Sequence, residues 1–320
     1  MSADKLKVLV VGEQARRYAD HFSELFPEAI ITPIIRWGDA PTSVTDAQAV
    51  WAPPSKVSLE MLKGLPRLRW LQGLAAGTDP ILAHGPALSD IIVTSLSGVH
   101  APQMSELALL LMMSLQRQFP AMLLNQKNNI WNNWPQPILA GKTITIVGLG
   151  AIAMRVASVC KIFGMTVVGV SDGRRQAENF DNIVLRRELI ASIGDTDFLL
   201  LLVPLTASTR ALIGKDVLAA LPSRAFVINL SRGAVIDEAA LIAALQKGEI
   251  AGAGLDVFTQ EPLPGSSPLW QMPNVIVTPH VGGFSDVLFD QSVPLLSQNL
   301  RAFLDGDLRL LRNVVPLPTV

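Results

Sequence analysis

Short apolar runs rich in Val, Ile and Leu recur along this chain. Each is closed by Gly, Pro or Ser and followed by a stretch whose apolar positions return with a helical period. Runs of this kind read as strands buried on both faces, and their alternation with helices is the signature of parallel βα units. The pattern occurs in two sets. The first predicts strands at Lys7–Gly12, Gln48–Ala52, Leu68–Leu74 and Ile91–Ser95, with helices at Ala15–Phe26 and Ser58–Gly64. The second predicts strands at Thr143–Val147, Thr166–Ser171, Phe198–Val203, Ala225–Leu230, Gly252–Val257 and Val275–Thr278.

Between the sets, Gly98–Pro102 and a long apolar helix from about Gln103 read as a crossing from one domain to another. After His280 a further helix, Ser285 to about Leu304, reads as a return to the first domain. The expected fold class is therefore α/β, with two doubly wound parallel-sheet domains. The first comprises 1–99 and 288–320, and the second 100–287. The stretch ELALLLMMSL is far shorter than the roughly 20 apolar residues of a membrane span, so it reads as a buried helix.

Composition narrows the function. With 49% apolar and 17% charged residues in 320, the chain has material for two cores and too little polarity for disorder. Its 26 basic and 27 acidic side chains nearly cancel, which removes the electrostatic case for nucleic acid or a membrane surface and favours small-molecule chemistry. The lone Cys160 forms no intrachain disulfide, and MSADKLKVLVVG enters a strand without a secretory apolar segment, so the cytoplasm is the expected compartment. Four histidines and one cysteine make no metal-ligand spacing, and no metal is expected.

The segment 143-TITIVGLGAIAMRVA-157 runs from a strand into a glycine turn. A dinucleotide-binding turn needs one glycine for the bend, a second so the backbone can approach the pyrophosphate, and a third small residue for helix–strand packing. Gly148, Gly150 and Ala153 fill those places. Alanine serves at the third because that position answers to packing rather than to phosphate. An acidic residue for the adenosine ribose is expected at the end of the next strand, 166-TVVGVSDGRR-175. There strand-end alignment puts Ser171 in the acidic place, with Asp172 one step late and Arg174 and Arg175 beyond. A hydroxyl followed by two guanidiniums suits a 2′-phosphate and favours NADP. A solvated loop, or Asp172 binding the ribose of NAD, is the alternative.

Polar residues gather where an open parallel sheet binds ligands, beyond the carboxyl ends of its strands. The stretches 203-VPLTASTR-210, 231-SRGAVID-237, 256-DVFTQEPL-263 and 279-PHVGG-283 bring one Arg, one Glu and one His to one edge from three loops. Reduction of a 2-oxo acid needs a cation for the carboxylate and carbonyl, and an acid for the new alkoxide. Arg232 suits the first task and His280 the second, with Glu261 on the other ring nitrogen to fix the tautomer and hold the protonated form.

The segments VGLGAIA, VPLTASTRALIG, INLSRGAVIDEAAL, GAGLDVFTQEPLP, SPLWQMPNVIVTPHVGG, LAAGTD and SGVHAPQMSELAL resemble the D-isomer-specific 2-hydroxyacid dehydrogenase family over nearly the whole chain. The resemblance implies a discontinuous flavodoxin-like substrate domain and a Rossmann-like cofactor domain with a cleft between them. It implies Arg232, Glu261 and His280 as the catalytic residues. It points to Ala75, Ala76 and Gly77, with Arg232 and His280, for the substrate. For the cofactor it points to Gly148, Gly150, Ala151, Ile152, Pro204, Thr209, Leu230, Asp256 and Gly283, and Asp256 is expected near the carboxamide. A homodimer through the Leu107–Leu115 region is implied too.

The departure is Ser171, where members that use NAD carry an acid, so NADP is the preferred cofactor and NAD the alternative. The expected activity is NAD(P)H-dependent reduction of a small 2-oxo acid such as glyoxylate or hydroxypyruvate to the D-2-hydroxy acid. Two rival readings are a dinucleotide-sensing protein like the corepressors of this fold, and a phosphoglycerate dehydrogenase lacking a regulatory domain. His21 and His84 lie in the expected first domain without a partner pattern, His100 reads as hinge packing and Cys160 as a small buried hydrophobe. Trp131 and Trp134 read as packing under a loop. Trp51 reads equally as cleft or core.

Overall fold

A computed structural model describes residues 5–317; the outermost parts of the expected first domain, 1–4 and 318–320, lie outside the described residues. The chain groups into two units. One runs to His100 and resumes at Ser285, and the other is Ala101–Phe284.

The first unit is a five-stranded, all-parallel sheet. Its elements in chain order are β1 (Leu6–Val11), α1 (Ala15–Leu25), β2 (Ala29–Ile34), β3 (Ala49–Ala52), α2 (Leu59–Gly64), β4 (Trp70–Gly73), α3 (Asp79–Leu82) and β5 (Ile92–Thr94). The spatial order is β2-β1-β3-β4-β5, the flavodoxin-like winding. Both faces are covered, as all-parallel sheets require. On one face Phe22, Trp51, Trp70, Leu296, Leu300 and Phe303 join α1 and the later helix Leu288–Leu304 to the strands. On the other, Leu9, Val50, Met61, Leu71, Ile81 and Val93 make a second layer. Trp51 is wholly buried, edge-on to Phe22 and Trp70, which places it in the core.

β2 escapes the apolar pattern because Pro33 interrupts it. A proline lacks the N–H for a central ladder, yet β2 is an edge strand paired only with β1, where that loss is tolerated.

The second unit continues with α4 (Ala101–Gln116), α5 (Phe119–Lys127), β6 (Thr143–Val147), α6 (Ala151–Ile162), β7 (Thr166–Val170), β8 (Asn182–Val184), α7 (Leu189–Ser192) and β9 (Phe198–Leu201). After these come α8 (Lys215–Ala220), β10 (Phe226–Asn229), α9 (Glu238–Lys247), β11 (Gly252–Leu255) and β12 (Val275–Val277). Its seven parallel strands are ordered β12-β11-β10-β9-β6-β7-β8. Counted from β6 this is the dinucleotide-fold order with a seventh strand appended, and the order reverses between β6 and β9. β8, three residues at the far edge, is too short to announce itself by composition.

The apolar helix α4 begins at Ala101 with Pro102 in its first turn, where the missing N–H costs nothing. It buries Ala108, Leu111, Met112 and Leu115 against the sheet. A Cβ on Gly254 of β11 would lie 3.0 Å from Leu111 Cβ, so glycine there lets the helix sit down on the strand. No single helix among the described residues is long and apolar enough to cross a membrane.

The expected packing of Trp131 under a loop is corrected. The chain from 130 to 138 has no regular structure, runs over the surface, and leaves the Trp131 side chain 97% exposed.

Candidate active site

The turn after β6 is built around two different glycines. Gly148 has φ +99°, and a Cβ there would lie 2.9 Å from the Leu202 carbonyl carbon and oxygen where the chain leaves β9. Glycine is therefore required at the reversal point for both conformation and space. Gly150 has an ordinary extended conformation as the N-cap of the 12-residue α6, and a Cβ there would meet nothing within 4 Å. Its openness leaves room for a group to approach the amino end of α6, begun by Ala151 and Ile152, where the helix dipole favours an anion. Ala153 is wholly buried with Ile144, Ile146 and Val156, a packing position. These residues fit the pyrophosphate of a dinucleotide.

Beyond β7, Ser171 Oγ accepts the amides of Gly173 and Arg174, each at 3.2 Å, and so shapes a tight turn. Arg174 and Arg175 are exposed on it. Arg174 Nη1 lies 3.7 Å from Met154 Sδ on α6, directing this guanidinium back along the glycine-turn helix. Asp172 points elsewhere. Its carboxylate takes Arg186 Nε at 2.9 Å and Nη2 at 2.6 Å, and the Arg186 guanidinium and amide hold it below the usual carboxylate range.

After β9, Thr209 is buried, donates to the Pro204 carbonyl at 2.6 Å and accepts the Thr206 amide at 2.7 Å, closing the loop 203–210 on itself. Leu230, after β10, is buried.

Arg232, Glu261 and His280 follow β10, β11 and β12, which are neighbours in the sheet. The Arg232 loop is pinned by Asn229, whose amide donates to the Arg232 carbonyl at 3.0 Å while its oxygen accepts the Ser231 amide and hydroxyl. Arg232 Nη1 donates to the Ser231 carbonyl at 2.7 Å. A Cβ on the next residue, Gly233, would fall 1.9 Å from the Phe258 carbonyl carbon. Two loops thus touch backbone to backbone, and the β11 loop so placed carries Glu261.

His280 Nδ1 is 2.7 Å from Glu261 Oε2, and Glu261 Oε1 accepts the Phe258 amide at 2.9 Å. With Nδ1 carrying the proton shared with the carboxylate, Nε2 faces away from it. The side chains of His280 and Glu261 are 46% and 36% exposed, so the pair is reachable by a solute. His280 has φ +53°, a strained conformation for a non-glycine residue. Asp256 supports it. Wholly buried, its carboxylate accepts the Thr278 hydroxyl at 2.7 Å and the amides of Val281 and Gly282 at 2.9 Å, bracketing His280 on both sides. Gly283 completes this loop, its carbonyl accepting Gln103 Nε2 at 3.3 Å.

In the first unit, Ala75, Ala76 and Gly77 form the loop after β4. The Leu74 amide is bound by the Ala52 carbonyl at 2.8 Å, and the Ala75 carbonyl accepts the Leu96 amide at 2.9 Å. Among the described residues no group of three His, Cys, Asp or Glu side chains is arranged to hold a metal ion. Sequence reasoning passed over Asn229 and Arg186, and cast Asp256 only as a carboxamide neighbour. Polar residues at strand ends were the available signal, but their partners lie in other loops.

The family model of the D-isomer-specific 2-hydroxyacid dehydrogenase NAD-binding domain matches residues 109–282. Glyoxylate/hydroxypyruvate reductase A of Salmonella paratyphi B is 34% identical over 252 residues, 77% of this chain and 79% of that protein. A D-isomer-specific 2-hydroxyacid dehydrogenase family protein from Aeromonas salmonicida subsp. salmonicida superposes with TM-score 0.90 at 30% identity, covering 98% of this chain and 100% of that one. The NADPH-dependent glyoxylate/hydroxypyruvate reductase of Sinorhizobium meliloti, solved with NADP and sulfate, gives TM-score 0.84 at 28% identity over 97% and 98% of the two chains.

Proposed function

The chain belongs to the D-isomer-specific 2-hydroxyacid dehydrogenase family, a family of oxidoreductases, and on that premise we propose that it reduces a small 2-oxo acid with NADPH. Glyoxylate and hydroxypyruvate are the substrates favoured, by kinship with reductases of those acids, and the product is the D-2-hydroxy acid. The observation that carries the reading is the 2.7 Å His280–Glu261 pair joining the loops after β12 and β11, beside the loop after β10 that carries Arg232.

A dinucleotide held with its pyrophosphate at the glycine turn would supply, from its nicotinamide, the hydride for the substrate's carbonyl carbon. The rest of the work belongs to the chain. Arg232 presents a guanidinium to the substrate carboxylate and carbonyl oxygen, fixing orientation and drawing electron density from the carbon. His280 gives a proton from Nε2 to the oxygen that becomes the hydroxyl, and Glu261 at Nδ1 holds the ring in place. Gly148, Gly150, Ala151 and Ile152 take the pyrophosphate, and Pro204, Thr209, Leu230, Asp256 and Gly283 the remainder of the dinucleotide. Ser171, Arg174 and Arg175 take the 2′-phosphate, which is the ground for NADPH over NADH.

A homodimer is proposed through the surface that carries Leu110, Met113, Leu123, Leu124 and Trp131, all exposed and apolar. We place the enzyme in the cytoplasm, in keeping with its one buried free cysteine.

The test is initial-rate reduction of glyoxylate and hydroxypyruvate with NADPH and NADH in parallel. A higher kcat/KM with NADPH is expected. Higher kcat/KM with NADH would overturn the cofactor assignment, and dinucleotide binding without turnover on any 2-oxo acid would overturn the reaction and favour a sensor.

A further inference from the structure

A pocket selective for NADPH must do two things: attract the 2′-phosphate, and withhold a carboxylate from the ribose hydroxyls that NADH would offer. The second requirement is awkward here. Asp172 stands beside Ser171 at the end of β7, about 20 residues past the glycine turn, in the region from which an acid ordinarily binds the ribose. Left free, it would serve NADH and repel a phosphate.

It is occupied. Arg186, arriving from the end of the edge strand β8, places Nε and Nη2 on Asp172 Oδ2 at 2.9 and 2.6 Å, and its own amide reaches Oδ1 at 3.1 Å. Both carboxylate oxygens are engaged. The remaining terminal nitrogen, Nη1, donates to the Ser208 carbonyl at 3.2 Å and hydroxyl at 3.0 Å. One guanidinium thus joins the loops after β7, β8 and β9. An ordinary exposed ion pair has freedom to open. This one is held by four hydrogen bonds from a side chain only 32% exposed and a fifth from the Arg186 backbone amide.

We infer that Arg186 is a cofactor-selecting residue: it acts through Asp172, denying the ribose diol of NADH its acceptor and leaving the Ser171–Arg174–Arg175 turn to a 2′-phosphate. The inference rests on the NADPH reading above and names the residue that enforces it. Arg186 is a positioning residue, and its effect on the diol requires the Asp172 carboxylate.

The experiment is calorimetric binding of 5′-AMP and 2′,5′-ADP to the full chain as wild type, Arg186→Met, Arg186→Lys, Asp172→Asn and the Arg186→Met/Asp172→Asn double variant, with thermal unfolding as the check on folding. Arg186→Met is expected to bind 5′-AMP about tenfold more tightly than wild type, the worth of one freed charged acceptor. The gain should vanish in the double variant and be small in Arg186→Lys. Equal weakening toward both nucleotides in Arg186→Met, or a gain that survives Asp172→Asn, overturns the inference while wild-type preference for 2′,5′-ADP keeps the NADPH reading. A wild-type protein that binds 5′-AMP at least as tightly as 2′,5′-ADP overturns the NADPH reading and the inference together.

Discussion

Glu261 divides its carboxylate between two duties: Oε2 lies 2.7 Å from His280 Nδ1, and Oε1 accepts the Phe258 amide. The backbone bond aims the carboxylate, and the carboxylate aims the ring. Orientation of the imidazole therefore depends on one turn of the loop after β11 rather than on the strand that carries the histidine.

Removing the ring should be costlier than weakening its support. His280→Ala is expected to lower kcat by on the order of 10²–10⁴ with little change in KM, the range of a lost general acid. Glu261→Gln keeps an oxygen for the Phe258 amide but not the charge, and a fall of roughly 10–100-fold is expected. Steady-state rates on glyoxylate with NADPH decide the matter, and an unchanged kcat in His280→Ala would sink the assignment.

The two glycines of the turn should fail in different ways. Gly148→Ala forces a Cβ to 2.9 Å from Leu202 at φ +99°, so a loss of about 1–3 kcal/mol of stability is expected in thermal unfolding. Gly150→Val has space and a normal backbone, so its melting temperature should hold while NADPH binding weakens at least tenfold. Fluorescence titration that finds wild-type affinity in Gly150→Val would remove Gly150 from the phosphate site.

Asp256→Ala leaves the Thr278 hydroxyl and two loop amides without their buried acceptor, at about 1–3 kcal/mol for each group that water cannot reach. Both melting temperature and kcat should drop, in contrast to Glu261→Gln, where the melting temperature should change little. Equal melting temperatures for Asp256→Ala and wild type would show that the His280 loop is held by other means.

Burial pushes the Cys160 thiol up to about 12, and the side chain has no exposed surface. Since the thiolate is the reactive form, native protein at pH 8 should resist a disulfide reagent and react only as fast as it unfolds. Rapid stoichiometric labelling without loss of structure would contradict the packing of α6.

The glycine turn was legible in sequence because its requirements are local: a strand, a tight bend and a helix within fifteen residues of text. Arg232, Glu261 and His280 stood out as polar residues at the ends of three apolar runs, and the sheet sets those three strands side by side. Pro33 hid β2, since a proline argues against a strand until its place on the edge is known. Asp256 and Arg186 were hidden for a different reason. Their roles are set by which loops meet beyond the sheet, and strand order rather than spacing along the chain decides that. Trp131 misled because bulk and apolarity read as burial, whereas the described residues leave its side chain exposed.

The interrupted path of the first unit has a temporal side. Its sheet leaves the ribosome before the second unit, but Phe289, Leu296, Leu300 and Phe303, which seal one face of that sheet, are synthesised after it. The second unit is continuous and has all its strands before the chain turns back. During translation the later-made unit can therefore close first, while the earlier one waits with an open apolar face for its final helix, the interval in which a nascent chain most needs a chaperone.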